Sequence, residues 1–188
     1  FKLRNDVLFH NGSKMTAADV KYSFETIINP DTGAVNKPVF NSVAAIETPD
    51  DYTVKIRMNQ INAPFLGRLA ALGAGAIIPK GSADIQGETP IGAGPLKFVR
   101  REFGNEVELE RFDEYWNGAS CIDRLIAREV TEPTVRLTGL RTGEMHLIND
   151  IPTDRIEEIK ADDSLQVLSW SHGVFDFVNL SYQFEPFK

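Results

Sequence analysis

Six consecutive residues, Pro90-Ile91-Gly92-Ala93-Gly94-Pro95, carry two prolines and two glycines. Each proline fixes its own φ and lacks an amide donor, while each glycine reaches backbone angles closed to other residues. Such a segment ends regular structure on both sides and has the chemistry of a linker or hinge. It divides the 188 residues into a part spanning 1–91 and a part spanning 92–188. A chain of this length can bury a real core, as one domain or two small ones.

Strand and helix patterns alternate on both sides of the junction. Phe1 to Phe9 alternates as a strand pair turning at Asn5-Asp6, and His10-Asn11-Gly12-Ser13 is a loop. Thr16-Ala17-Ala18-Asp19 has the spacing of a capping box, with Asp in place of the usual Glu. The helix it opens puts Val20, Phe24, Ile27 and Ile28 on one face and stops at Asn29-Pro30-Asp31. Phe40 to Glu47 and Tyr52 to Met58 form a hairpin around Thr48-Pro49-Asp50-Asp51. Ala63-Pro64-Phe65 starts a second helix with a buried stripe of Phe65, Leu66, Leu69 and Leu72, ended by Gly73 and Gly75. Ala76 to Pro79 is expected to be a short strand, and Lys80 to Thr89 a polar, mobile loop.

After the junction, Leu96–Arg101 and Val107–Phe112 make a hairpin across Phe103-Gly104-Asn105, and Ile122–Val130 is a further strand. A helix begins at Thr131-Glu132-Pro133 and carries Val135, Leu137 and Leu140 to Gly143. Met145–Ile148 is a short strand, and Pro152-Thr153-Asp154 opens a helix with Ile156 and Ile159 inward. Leu165–Trp170 and Val174–Tyr182 close the chain as strands. The fold class is α/β, mixed α+β, in two lobes.

Chemistry is tested next. The formal net charge is −7, and the longest basic run is Arg100-Arg101, so no basic patch is available for nucleic acid or anionic membrane. No stretch approaches the ~20 apolar residues of a membrane span. There is no GxGxxG, Walker loop, GxSxG elbow or HExxH pair. His10, His146 and His172 share no metal-ligand spacing, and no cofactor is implied. Asp50-Asp51 belongs to a turn and Asp162-Asp163 to a helix end, which leaves no carboxylate pair for acid–base work. The single cysteine, Cys121, is expected to be a buried small apolar residue. Tyr115-Trp116 is expected to be a buried anchor between strands. The chain opens at Phe1 with strand alternation already under way, so both ends are expected to be cut points in a longer protein.

Four segments in order carry a resemblance. They are Phe1-Lys2-Leu3-Arg4 through Val7-Leu8-Phe9-His10-Asn11-Gly12 with Thr16-Ala17-Ala18-Asp19-Val20 and Ser23-Phe24; Ala63-Pro64-Phe65-Leu66; Pro90 to Pro95; and Tyr115-Trp116 with the helix from Thr131 to Gly143. Each motif is weak alone, but together they span nearly the whole chain. In them the chain resembles the family 5 bacterial extracellular solute-binding proteins, the oligopeptide, dipeptide and nickel receptors of ABC transporters. The resemblance implies a fragment of a periplasmic-binding-protein-like fold. Residues 1–91 would be most of a subdomain and 92–188 part of the first lobe, with the second lobe outside the chain.

It also implies capture and no catalysis. A small-molecule or peptide ligand would bind between two lobes, and the closed protein would deliver it to the ABC permease subunits in the membrane. The implied compartment is the periplasm, or the cell exterior with a lipid anchor, and the implied full-length state is a monomer. Cleft-facing candidates by position are Asn149, Asp150, His172, Phe175 and Phe40, with Gly92, Gly94 and Pro95 as the junction. Two other classes stay open: a sensor or regulatory domain reusing the same fold, and an enzyme on a related α/β scaffold.

Overall fold

The computed structural model describes residues 1–70 and 73–169. Two compact units divide it, Phe1–Glu129 and Val130–Lys188.

In the first unit, helix α1 (Ala17–Ile28) starts as the capping box dictates. The Thr16 amide and hydroxyl both donate to Asp19 Oδ2 at 2.8 Å, satisfying an N-terminal donor that the helix leaves open. Strands β1 (Val43–Asp50) and β2 (Thr53–Met58) pair antiparallel, with Ile46 opposite Ile56. Val20 and Phe24 of α1 pack with Ile46 and Val54 in one core, together with Phe40 and Phe65. Phe24, Phe40 and Phe65 stack in series, at ring-centroid separations of 5.1 and 6.1 Å. Phe65 opens the short helix α2 (Phe65–Leu69). With five residues α2 cannot sustain a stripe: Leu66 is exposed, contrary to expectation, and Leu72 lies outside the described residues.

The opening segment does not pair with itself. The Leu3 amide donates to Tyr52 O at 2.8 Å and the Val54 amide to Phe1 O at 3.0 Å, so its first residues lie along β2. A separate small hairpin bridges Leu8 to Lys14, turning through Gly12 at φ 80°. The Ala76–Pro79 run is not a strand either. Its backbone is taken by α1 side chains: Ser23 Oγ accepts from the Ile78 amide at 2.9 Å, and Asp19 Oδ1 accepts from the Lys80 amide at 2.9 Å. The Ala83 amide reaches Tyr22 Oη at 3.2 Å. Hydrogen bonds also order the segment expected to be mobile, through a 3-10 turn at Ala83–Ile85 and a 3.0 Å bond from the Ile91 amide to Gln86 Oε1.

Beyond the junction, β3 (Leu96–Glu102), β4 (Glu106–Arg111) and β5 (Arg124–Arg128) form an antiparallel sheet in the order β3-β4-β5. Successive β4 residues alternate faces. Glu106 and Glu108 therefore share one face, where Glu108 pairs with Arg100 Nε at 2.8 Å and Arg124 Nε at 2.7 Å. Glu106 pairs with Arg100 and, at 3.3 Å, with Arg128 Nε. Cys121 is exposed, in an irregular connection with no strand neighbour to bury it.

In the second unit, Pro133 occupies the first turn of α3 (Pro133–Arg141). Leu137 is buried, but Val135 is exposed. A side chain at Gly139 would meet Met145 Cγ at 3.1 Å, so the glycine permits that approach. Helix α4 (Ile156–Lys160) follows a 3-10 turn at Thr153–Arg155 and buries Ile159. Glu158 bridges Arg141 and Arg155 at 2.7 and 2.8 Å. Met145–Ile148 and Leu165–Ser169 are irregular, because neither finds a ladder partner among the described residues.

Candidate functional site

The junction is held by polar contacts within the first unit. Its two glycines meet His10, more than eighty residues earlier in the chain. The His10 amide donates to Gly92 O at 2.8 Å. The Gly92 amide donates to His10 Nδ1 at 3.2 Å, while Nε2 stands 3.1 Å from Gly94 O. An amide needs an acceptor and a carbonyl needs a donor. The ring is therefore neutral, with its proton on Nε2. The ring edge also packs on Phe112 at 5.1 Å, and the Phe112 amide donates to Pro95 O at 3.0 Å. Burial lowers the His10 pKa below its ordinary 6.5, and the charge of Lys97 adds to this, against the Gly94 carbonyl, which raises it. A cavity of about 230 Å³ adjoins the cluster, lined by His10, Asn11, Thr89, Pro90, Lys97 and Phe98 among others. Sequence gave no sign of the His10 contact, since nothing local relates residues so far apart.

Asn149 and Asp150 are both exposed and lie in an irregular segment of the second unit. Asp150 has φ 53°, a left-handed conformation that Asp tolerates better than most residues. Arg136 holds this segment: Nη2 donates to Asp150 O at 3.1 Å, and Nη1 donates to Val130 O and Thr131 O at 2.7 and 3.0 Å. Sequence reasoning passed over Arg136. Its signal was a cation in the first turns of a helix, where the macrodipole disfavours positive charge unless carbonyls receive it.

Phe40 is 3% exposed, its ring enclosed by Phe24 and Phe65, because an aromatic at this point of the 3-10 turn Lys37–Phe40 faces the core. His172 and Phe175 lie outside the described residues. Trp116 is exposed, not a buried anchor: the Arg4 guanidinium sits 4.7 Å from its ring centroid, and Arg4 is itself paired with Asp6 at 2.6 Å. Among the described residues no cluster of His, Cys, Asp and Glu could hold a metal, and no helix is long and apolar enough to cross a membrane.

Known proteins resemble the chain along its length. A glutathione-binding protein, GsiB of Pectobacterium atrosepticum, is 29% identical over 99% of this chain and 37% of its own. The solved structure of NikZ from Campylobacter jejuni in complex with Ni(L-His) superposes with a TM-score of 0.77 at 27% identity, covering 86% of this chain and 33% of that one. The periplasmic binding protein DppA of Helicobacter pylori, in complex with the peptide STSA, gives a TM-score of 0.76 at 26% identity, covering 87% of this chain and 37% of that one. The chain thus spans about a third of the length of these relatives. A family-wide sequence model described as bacterial extracellular solute-binding proteins, family 5 Middle, matches residues 1–188, and the chain belongs to that family.

Proposed function

We propose that the chain is part of the solute-capturing component of an ABC importer. The match of residues 1–188 to the family carries this reading. Relatives named for glutathione, for a peptide and for a nickel–histidine complex support a solute with charged termini, of peptide or similar size. The ligand would be enclosed between two lobes and passed to the permease unchanged, without catalysis. Affinity would come from enclosure, with a few polar groups fixing the ends.

In this reading residues 1–91 serve as a subdomain and 92–188 as part of a lobe. The Pro90–Pro95 junction joins them, and Asn149 and Asp150 offer polar groups to the solute. The protein works as a monomer outside the cytoplasmic membrane. Nucleic acid is not a partner, which agrees with the net charge of −7. The test is native purification of the full-length mature protein, followed by mass spectrometry of small molecules released on denaturation. A released peptide or peptide-like solute is the expected result. A protein that releases nothing and shows no thermal shift across a panel of peptides, glutathione and nickel–histidine would overturn the reading.

A further inference from the structure

His10 is bound to the junction through both ring nitrogens and its own amide. Those three bonds fasten two glycines that would otherwise be the least constrained residues of the segment. The two ring contacts are chemically unequal. At Nε2 the ring donates to the Gly94 carbonyl, a role that survives protonation. At Nδ1 the ring accepts from the Gly92 amide, and an imidazolium has no acceptor to offer. A proton arriving from solvent at Nδ1 turns that bond into two donors facing each other.

We propose that His10 is an acid-sensitive clasp on the junction: neutral, it fastens Gly92 and Gly94, and protonated, it releases the Gly92 amide. The groups around the ring agree with this. Phe112 at 5.1 Å is apolar, and the junction contributes backbone only. Asn11 and Thr89, which line the adjoining cavity, are uncharged. Among the described residues, Lys97 on β3 is the charged group that acts on the ring, and its Nζ stands 3.0 Å from Glu110 Oε1. Among the described residues, no carboxylate is among the groups acting on the ring to welcome an imidazolium. Protonation therefore leaves a cation with an apolar neighbour, a lysine and a displaced amide. Release returns freedom to a segment whose two prolines and two glycines suit it to bend.

The test uses the full-length protein labelled with ¹⁵N at glycine and histidine. At about pH 7.5, long-range imidazole spectra are expected to report a neutral His10 with its proton on Nε2. Protection of the Gly92 amide from solvent exchange, corrected for intrinsic rate, is expected to fall roughly tenfold once pH drops a unit below the His10 midpoint. His10→Asn places an acceptor near Nδ1 and cannot titrate, so its Gly92 protection is expected to stay level over the same range. A neutral Nδ1–H tautomer overturns the proposal. So does Gly92 protection that is flat with pH in the unmodified protein, or an equal acid loss in His10→Asn.

Discussion

The hydroxyl of Ser23 accepts the Ile78 amide at 2.9 Å and lies 3.2 Å from the Ile78 carbonyl, so one helix side chain stands where a strand neighbour would stand. Ser23 is 2% exposed. Ser23→Ala leaves the Ile78 amide without this acceptor and is expected to cost about 1–3 kcal/mol. The midpoint and slope of urea unfolding measure it. A loss within the error of extrapolation would mean that water replaces the hydroxyl.

Phe40 separates a core role from a ligand role. Phe40→Ala should destabilise by about 3–5 kcal/mol through loss of packing with Phe24 and Phe65. Solute affinity per folded molecule should not change. Calorimetry on the folded fraction checks this, and a selective loss of affinity at unchanged stability would return Phe40 to the cleft.

Glu106 makes stability depend on acid. Its bond to Arg100, first, and then to Arg128 hold its carboxyl below the ordinary 4.5, with partial burial opposing. A depressed carboxylate stabilises the fold above its unfolded pKa and loses that contribution as pH falls through its folded value. Urea midpoints of the wild type and Glu106→Gln should therefore differ near neutrality and converge only as pH falls below the depressed folded value. Parallel curves at all pH values would contradict the assignment.

Asp150 sits at φ 53° in an exposed irregular segment. Asp150→Gly should leave stability nearly unchanged, while Asp150→Val should cost about 1–3 kcal/mol of backbone strain. In the full-length protein, Asn149→Ala with Asp150→Gly should weaken the proposed solute binding without lowering the melting temperature. Unaltered affinity would remove this pair from the proposed solute contacts.

The 188-residue chain by itself should bind glutathione or short peptides weakly or not at all, since it spans 37% of its glutathione-binding relative. Enclosure between two lobes supplies most of the desolvation. Micromolar binding to the isolated chain in a calorimeter would show that the described units carry a site of their own.

What the sequence disclosed was local. The Thr16–Asp19 capping box, the apolar face of Val20 and Phe24, and the hairpins β1–β2 and β3–β4 are set by neighbours in the chain, and each pattern found its element, although β1 starts only at Val43 and runs through the expected turn residues Thr48 and Pro49 to Asp50. Errors arose where distant partners decide. Phe1–Phe9 alternates like a strand pair, yet its first residues bond to β2. Ala76–Pro79 has the apolarity of a strand, yet a helix side chain satisfies Ile78. Trp116 has the size of a core residue but sits exposed beside Arg4. Of the expected cleft residues, Asn149 and Asp150 are exposed in an irregular segment and Phe40 is enclosed, neither of which position along the chain foretold. Whether a ring faces a core or a cleft depends on packing that no single segment encodes.

The Asp19 carboxylate has its two oxygens in different service. Oδ2 receives the amide and hydroxyl of Thr16, and Oδ1 receives the amide of Lys80 at 2.9 Å. The first turn of α1 cannot fray without also loosening a segment sixty residues downstream, and Lys80 cannot swing away without exposing the helix end. The two regions should therefore open as one cooperative unit, exchanging their amides with a common free energy.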